Sequence, residues 1–219
     1  LCFLLLALAY AAGGKWRGFV GALSLALINA APVFLFLWPP AAPAPPNQTV
    51  FRAMLLNVNC RRGEPAAVRA TIASAHPDFL VLEEISPRWL VELAPALAEY
   101  PFRKIQARHD NFGIGLFSRQ PFDAARIEPF GIVDVPSVFA DLTLAGRRLT
   151  LVATHPMPPG GALLAAERDR QLEWIAGKVA ARSGPLLLLG DFNTSPWSPA
   201  YRRLLATSGL ADAAQGRSI

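Results

Sequence analysis

The chain has 219 residues, 53% hydrophobic and only 17% charged, with 21 Lys and Arg against 16 Asp and Glu for a formal net charge of +5. Ordinary soluble domains carry about 25% charged residues, so this composition excludes a soluble domain from end to end. With two cysteines, Cys2 and Cys60, it also excludes a disulfide framework or a cysteine-ligated metal, and its mild basic excess suits an anionic partner such as a phosphodiester, a nucleic acid or an anionic lipid surface.

The apolar excess sits at the front. "LCFLLLALAYAA" opens the chain, a short break "GGKWR" comes next, and a second run extends from Phe19 to Trp38. That second run has about the 20 residues a membrane-spanning helix needs, with Trp16 and Trp38 as interface anchors. The first run has no basic leader and precedes another apolar run, so it reads as a truncated membrane helix and not as a signal peptide. Residues 1–38 are thus expected to be transmembrane helices. Lys15 and Arg17 lie in the loop between the runs and make it cytoplasmic on the positive-inside rule, which puts the chain beyond Trp38 on the extracytoplasmic side. Residues 39–49, "PPAAPAPPNQT", read as a stiff spacer. Asn47-Gln-Thr and Asn193-Thr-Ser both match a glycosylation acceptor, a cheap pattern.

Residues 50–219 form the expected globular domain. "VFRAMLLNVN" reads as a strand, "EPAAVRATIASAH" as a helix with small apolar residues on one face, and "PDFLVLEEI" as a buried strand. "SPRWLVELAPALAEY" reads as one helix with Ser86 as N-cap and Pro87 in its first turn. "FGIGLFSR", "VFADLTLAG" and "RRLTLVATH" are strands, the last two joined through Gly146. "ALLAAERDRQLEWIAGKVAAR" is the longest helix; the "PLLLLGDFN" strand and a helix from about Ser198 to Thr207 come after it. Adjacent strands mixed with helix-separated ones indicate an α/β sandwich with mixed sheets.

Polar residues collect where apolar strands end: Asn57 and Asn59 after "LLNVN", Glu83 and Glu84 after "LVLEE", Thr154 and His155 after "LVATHP", and Asp191 and Asn193 after "LLLLGDFN". Alternation along a strand predicts that Asp191 and Asn193 point one way and Phe192 into the core. If the four strands run side by side in one direction, their ends gather carboxylates, amides and one imidazole. Such a set suits Mg²⁺, which takes one or two carboxylates with water and phosphate oxygens. Amides can hold phosphate oxygens without repelling them, and a histidine can steady developing charge or donate a proton. The sequence has no HExxH, GxSxG, Walker loop or GxGxxG. His76 and His109 read as structural.

"NVN", "LVLEE", "FGIGLFSR", "THP" and "GDFN", in that order from Val50 to about Leu210, resemble the endonuclease/exonuclease/phosphatase superfamily. The apolar runs and proline-rich spacer are similar to its bacterial membrane-anchored members, which places the chain in a bacterial inner membrane. The resemblance implies a four-layer sandwich of two mixed β-sheets flanked by helices, hydrolysing phosphodiesters or phosphomonoesters with Mg²⁺ or Mn²⁺. It implies Glu84 as the principal metal ligand with Asn57 assisting, and Asp191 orienting the attacking water. Asn193 would bind the scissile phosphate, His155 stabilise the transition state, and Asn111, in "DNFG", supply another phosphate-side group. The substrate would be a nucleic acid or a phospholipid, with no obligate protein partner. Two departures stand out. The family's glutamine before the metal-binding glutamate is Glu83 here, expected to face away from Glu84 and to be tolerated. No Ser-Asp-His motif occurs after Asn193, so the chain is expected to be a fragment lacking the C-terminal strands, and inactive as it stands. The alternative is a non-catalytic binding module on the same fold.

Overall fold

A computed structural model describes residues 2–38 and 49–216. The proline-rich spacer expected over 39–49 lies outside the described residues except for Thr49, and so does the Asn47 pattern apart from that threonine. The chain divides into two compact units, residues 1–48 with 211–219, and residues 49–210.

The first unit contains α1 (Cys2–Ala12) and α2 (Trp16–Leu37). Small residues mediate their packing: Ala7, Ala22 and Ala26 are buried, and a Cβ on Gly18 would come within 2.7 Å of the Tyr10 ring. The outward side chains are apolar, Leu27, Ile28 and Phe34 among them. α2 runs 22 residues with a mean hydropathy of 2.1 in its most apolar stretch, long and apolar enough to cross a membrane; it starts three residues before the expected Phe19. Its interior Asn29 satisfies itself by donating to the Leu25 carbonyl at 2.8 Å.

In the second unit the elements are β1 (Ala53–Asn57), α3 (Pro65–Ala75), β2 (Phe79–Glu83), α4 (Pro87–Glu92), α5 (Ala94–Leu97), β3 (Phe102–Gln106), β4 (Ile114–Ser118), β5 (Ala124–Phe130), β6 (Val135–Leu144), β7 (Arg147–Thr154), α6 (Ala162–Ala180), β8 (Leu186–Leu189) and α7 (Pro199–Ser208). Two four-stranded mixed sheets result, ordered β1-β2-β4-β3 and β5-β6-β7-β8. Three apolar layers hold them. Leu80, Leu82 and Phe117 face Trp89, Leu93 and Leu97 on the helices of the first sheet. Phe79, Val81 and Leu116 meet Val138, Ala140 and Leu151 between the sheets. Phe139 and Val152 face Leu172, Ile175 and Leu204 of α6 and α7. Strands such as β2 read as unbroken apolar runs because both of their faces are covered.

Four elements depart from the expectation. β3 and β5 are strands that the residue pattern does not predict: both are sheet edges, and "FRKIQ" and "AARIEPF" carry the charges and proline that edges tolerate. The single helix after Ser86 breaks at Leu93 into α4 and α5, with Pro95 in the first turn of the second piece, although Ser86 does cap as expected, accepting from the Trp89 N–H at 3.4 Å. The strand before "DFN" ends at Leu189, so strand alternation does not reach Asp191.

Candidate active site

The four polar strand ends do not lie side by side in one sheet. β1 and β2 run parallel in the first sheet, with Asn57 opposite Glu83, and β7 and β8 run parallel in the second, with Ala153 opposite Leu189. The sheets face each other across their apolar layer with these strand ends on one side, and Glu83 spans the gap there, its carboxyl oxygens accepting from the Asp191 N–H at 3.0 and 3.3 Å. One mouth therefore receives the ends of both pairs.

Glu84 leaves β2 at φ +58°, a left-handed conformation rare for glutamate. Its Oε1 accepts from Asn57 Nδ2 at 3.0 Å and its Oε2 from the Cys60 N–H at 3.2 Å. Asn57 Oδ1 in turn accepts from the Asn59 N–H at 3.0 Å, while Asn59 ties the next turn through the Arg61 and Arg62 N–H groups. Asn59 is thus a turn residue, and Asn57 is the one that reaches the carboxylate.

On the facing sheet, a Cβ at Gly190 would stand 1.9 Å from the Thr154 carbonyl oxygen, so only glycine lets β8 close against β7 there. Asp191 Oδ1 then accepts from the Asn193 N–H at 3.0 Å, an Asx turn that sets Asn193 at φ +50°. It is this turn, not strand pleating, that groups Asp191 with Asn193. Phe192 packs into the α6–α7 core as expected. Asn193 Nδ2 donates to the Pro156 carbonyl at 2.9 Å, joining the turn to the segment after His155.

His155 is 4% exposed, and its Nδ1 has no partner among the described residues. Burial lowers its pKa, while the nearby charges of Asp191 and Glu84 and a backbone hydrogen bond with Asn111 oppose that fall. The ring is consequently uncharged at neutral pH. Asn111 is exposed at the mouth, its Oδ1 accepting from Cys60 Sγ at 3.1 Å; burial, then the Glu84 charge, raises the pKa of that thiol and keeps it protonated. Thr154 is buried and bonded to Ser137 at 2.7 Å. His76 lies elsewhere, beside Arg119 at 2.8 Å and Glu99 at 3.7 Å.

Three residues at the mouth carry more than their sequence context indicated. Glu83 is fully buried and, chiefly by desolvation, its pKa rises to about 8, so it is a neutral acid bridging two sheets and not a passive replacement. Arg168 on α6, held by Asp169 at 2.6 Å, donates to the Asn193 carbonyl at 2.9 Å. Cys60 supplies the backbone donor to Glu84. Nothing in "ERDRQ" or "NVNC" separates these from surface charge or a stray thiol.

Among the described residues no group of three or more His, Cys, Asp or Glu side chains could hold a metal ion. The Glu84 carboxylate offers oxygen donors, which fit a hydrated hard cation and not zinc, while Asn57 turns its amide nitrogen to Glu84 and its oxygen to the Asn59 N–H. A cleft of about 650 Å³ between Asp123, Asp141, Arg148 and Arg182 lies at the opposite end of β6 and β7 and holds none of these groups.

Facing mixed sheets whose parallel strands end at one polar mouth put the protein among the two-sheet α/β sandwiches. Its sequence settles the particular family: the endonuclease/exonuclease/phosphatase family model matches residues 54–218, and the chain belongs to that family. A search of curated proteins finds no match. Solved structures share the fold. Sphingomyelinase C from Streptomyces griseocarneus is 21% identical with a TM-score of 0.60, covering 76% of this chain and 72% of its own. D. rerio TDP2 complexed with a single-strand DNA product is 19% identical with a TM-score of 0.59, covering 74% and 66%. An endonuclease/exonuclease/phosphatase from Beutenbergia cavernae is 22% identical with a TM-score of 0.59, covering 75% and 55%. At these identities the likeness concerns the fold alone.

Proposed function

We propose that this protein hydrolyses phosphodiesters at the mouth, with Glu84 holding a Mg²⁺ or Mn²⁺ ion and Asn57 assisting by fixing the carboxylate. The observation that carries the reading is the convergence, through the Glu83–Asp191 bridge, of the Glu84–Asn57 pair with the Asp191–Asn193 turn and His155. Such an ion, once bound, neutralises charge on phosphate oxygens and activates water.

The chain's own groups divide the remaining work. Asn57 and the Cys60 N–H fix the Glu84 carboxylate, so it meets a cation without reorganising. Asp191 is exposed and acceptor-only when ionised, which suits it to orient an attacking water. Asn193 commits one amide hydrogen to Pro156 and keeps a second for a phosphate oxygen. Asn111 offers its amide nitrogen from the rim. An arriving phosphate adds negative charge beside His155, which raises the proton affinity of the ring and lets it steady the transition state. The neutral Glu83 spares the mouth a further negative charge next to Glu84.

The apolar pair α1–α2 is read as the membrane tether, with the second unit on the extracytoplasmic side. Substrates of either polymeric or lipid type fit, since one structural neighbour holds a DNA product and another is a sphingomyelinase. The test is hydrolysis of a simple phosphodiester by the full protein, with and without Mg²⁺ or Mn²⁺, comparing the native chain with Glu84→Gln. A metal-dependent rate lost by at least about a hundredfold in the variant supports the site. An unchanged rate overturns it, and metal-dependent diester binding without turnover identifies a binding module.

A further inference from the structure

The turn between β5 and β6, Gly131 to Asp134, sits at the mouth. β6 runs antiparallel to β7, with Ser137 opposite Thr154, so it enters the sheet at the end where β7 gives way to His155. Arg108, in the segment carrying Asn111, donates to the Asp134 carbonyl at 3.2 Å and fastens this turn to the rim. On its other side the Ile132 N–H donates to Glu167 of α6 at 3.0 Å. Leu163 lies one turn earlier on that face of α6, immediately after the exposed loop Pro158–Gly161.

These anchored segments present aliphatic side chains to solvent. Leu163 is 70% exposed, Ile132 65% and Val133 38%, with Pro158 and Pro159 exposed beside them. Glu167 at Ile132 and Arg108 at Asp134 hold the backbone of the turn, so the exposure of Ile132 and Val133 is built into the fold. The first-sheet side of the mouth carries Arg61 and Arg62, both exposed, on a turn knotted by Asn59. An aliphatic rim facing cations across a polar mouth matches a surface that is apolar at one depth and anionic at another. Covalent reach points the same way. The ten residues 39–48 that link the helix pair to this unit extend at most ~35 Å.

We propose that the rim of Ile132, Val133, Pro158, Pro159 and Leu163 docks on a phospholipid bilayer, with Arg61 and Arg62 against anionic headgroups, so that the mouth opens toward lipid. The proposal rests on α2 crossing the membrane and on the mouth being the functional site, but it requires no turnover.

The experiment uses the full chain, with Cys2 and Cys60 replaced by serine, reconstituted in phosphatidylcholine vesicles containing phosphatidylglycerol. A nitroxide is attached at Leu163→Cys, at Ile132→Cys and, as control, at Val91→Cys, an equally exposed position on α4. Collision rates are read with oxygen, which concentrates in the bilayer, and with a water-soluble nickel chelate. Docking gives an oxygen-to-chelate ratio at 163 and 132 several-fold above that at 91. Ratios equal to the control overturn the proposal. So does an immobilised label shielded from both reagents, since protein then covers the rim. Glu84→Gln leaves the label readout unchanged, so failure of the catalytic reading and failure of docking are told apart.

Discussion

Glu83 couples the stability of the protein to pH in a direction that can be stated in advance. Burial raises its carboxyl from the ordinary 4.5 to about 8, because an ionised form would lie unsolvated between the sheets next to Asp191 and Glu84. Below pH 4.5 the acid is protonated in folded and unfolded chains alike, and it costs nothing. Between 4.5 and 8 the unfolded chain releases the proton while the folded one retains it, so stability falls steadily across that window. At about 1.36 kcal/mol per pH unit, an interval of about 3.5 units amounts to at most about 5 kcal/mol above pH 8. Glu83→Gln keeps an acceptor for the Asp191 N–H and removes the titration. Urea unfolding of the full chain in mild detergent and chelator, followed through the buried Trp89, should give nearly equal stabilities at pH 4. At pH 8.5 the variant should be more stable by several kcal/mol. Parallel pH curves for the two proteins would refute the claim that Glu83 is a neutral acid in the folded state.

Other perturbations act through single contacts. Gly190→Ala must push β8 off β7, since its Cβ would meet the Thr154 carbonyl at 1.9 Å; thermal unfolding should show a loss of more than about 2 kcal/mol, and diester turnover should fall with it. Ser86→Ala removes the cap on α4 and should cost about 1 kcal/mol by urea unfolding, with no effect on metal dependence. Arg168→Met deletes the donor to the Asn193 carbonyl while keeping the buried stem; turnover should drop by about tenfold or more at unchanged fold, as judged by near-UV circular dichroism.

Much of this protein is legible from residue order. The central strands are plain because both faces of β2 and β4 are covered, which forces continuous apolar runs such as "FLVLE", and the half-buried edge strand "LLLL" also packs apolar groups on both faces. Ser86 and Pro87 announce a helix start, since capping chemistry is local. The polar groups that gather at the mouth are legible as a list, because each stands where an apolar run ends, although Asn59 among them is held in a turn. The sequence could not carry anything decided across long separations. β3 and β5 are edges whose pairing comes from neighbours rather than from their own pattern. The four strand ends belong to two sheets, and only the approach of Glu83 to Asp191, 108 positions apart, makes them one mouth. The same approach turns Glu83 from an apparent substitution into a buried neutral acid, because desolvation depends on what packs around a group and not on its sequence neighbours. Local chemistry wrote the list of groups; tertiary packing decided which of them meet and in what charge state.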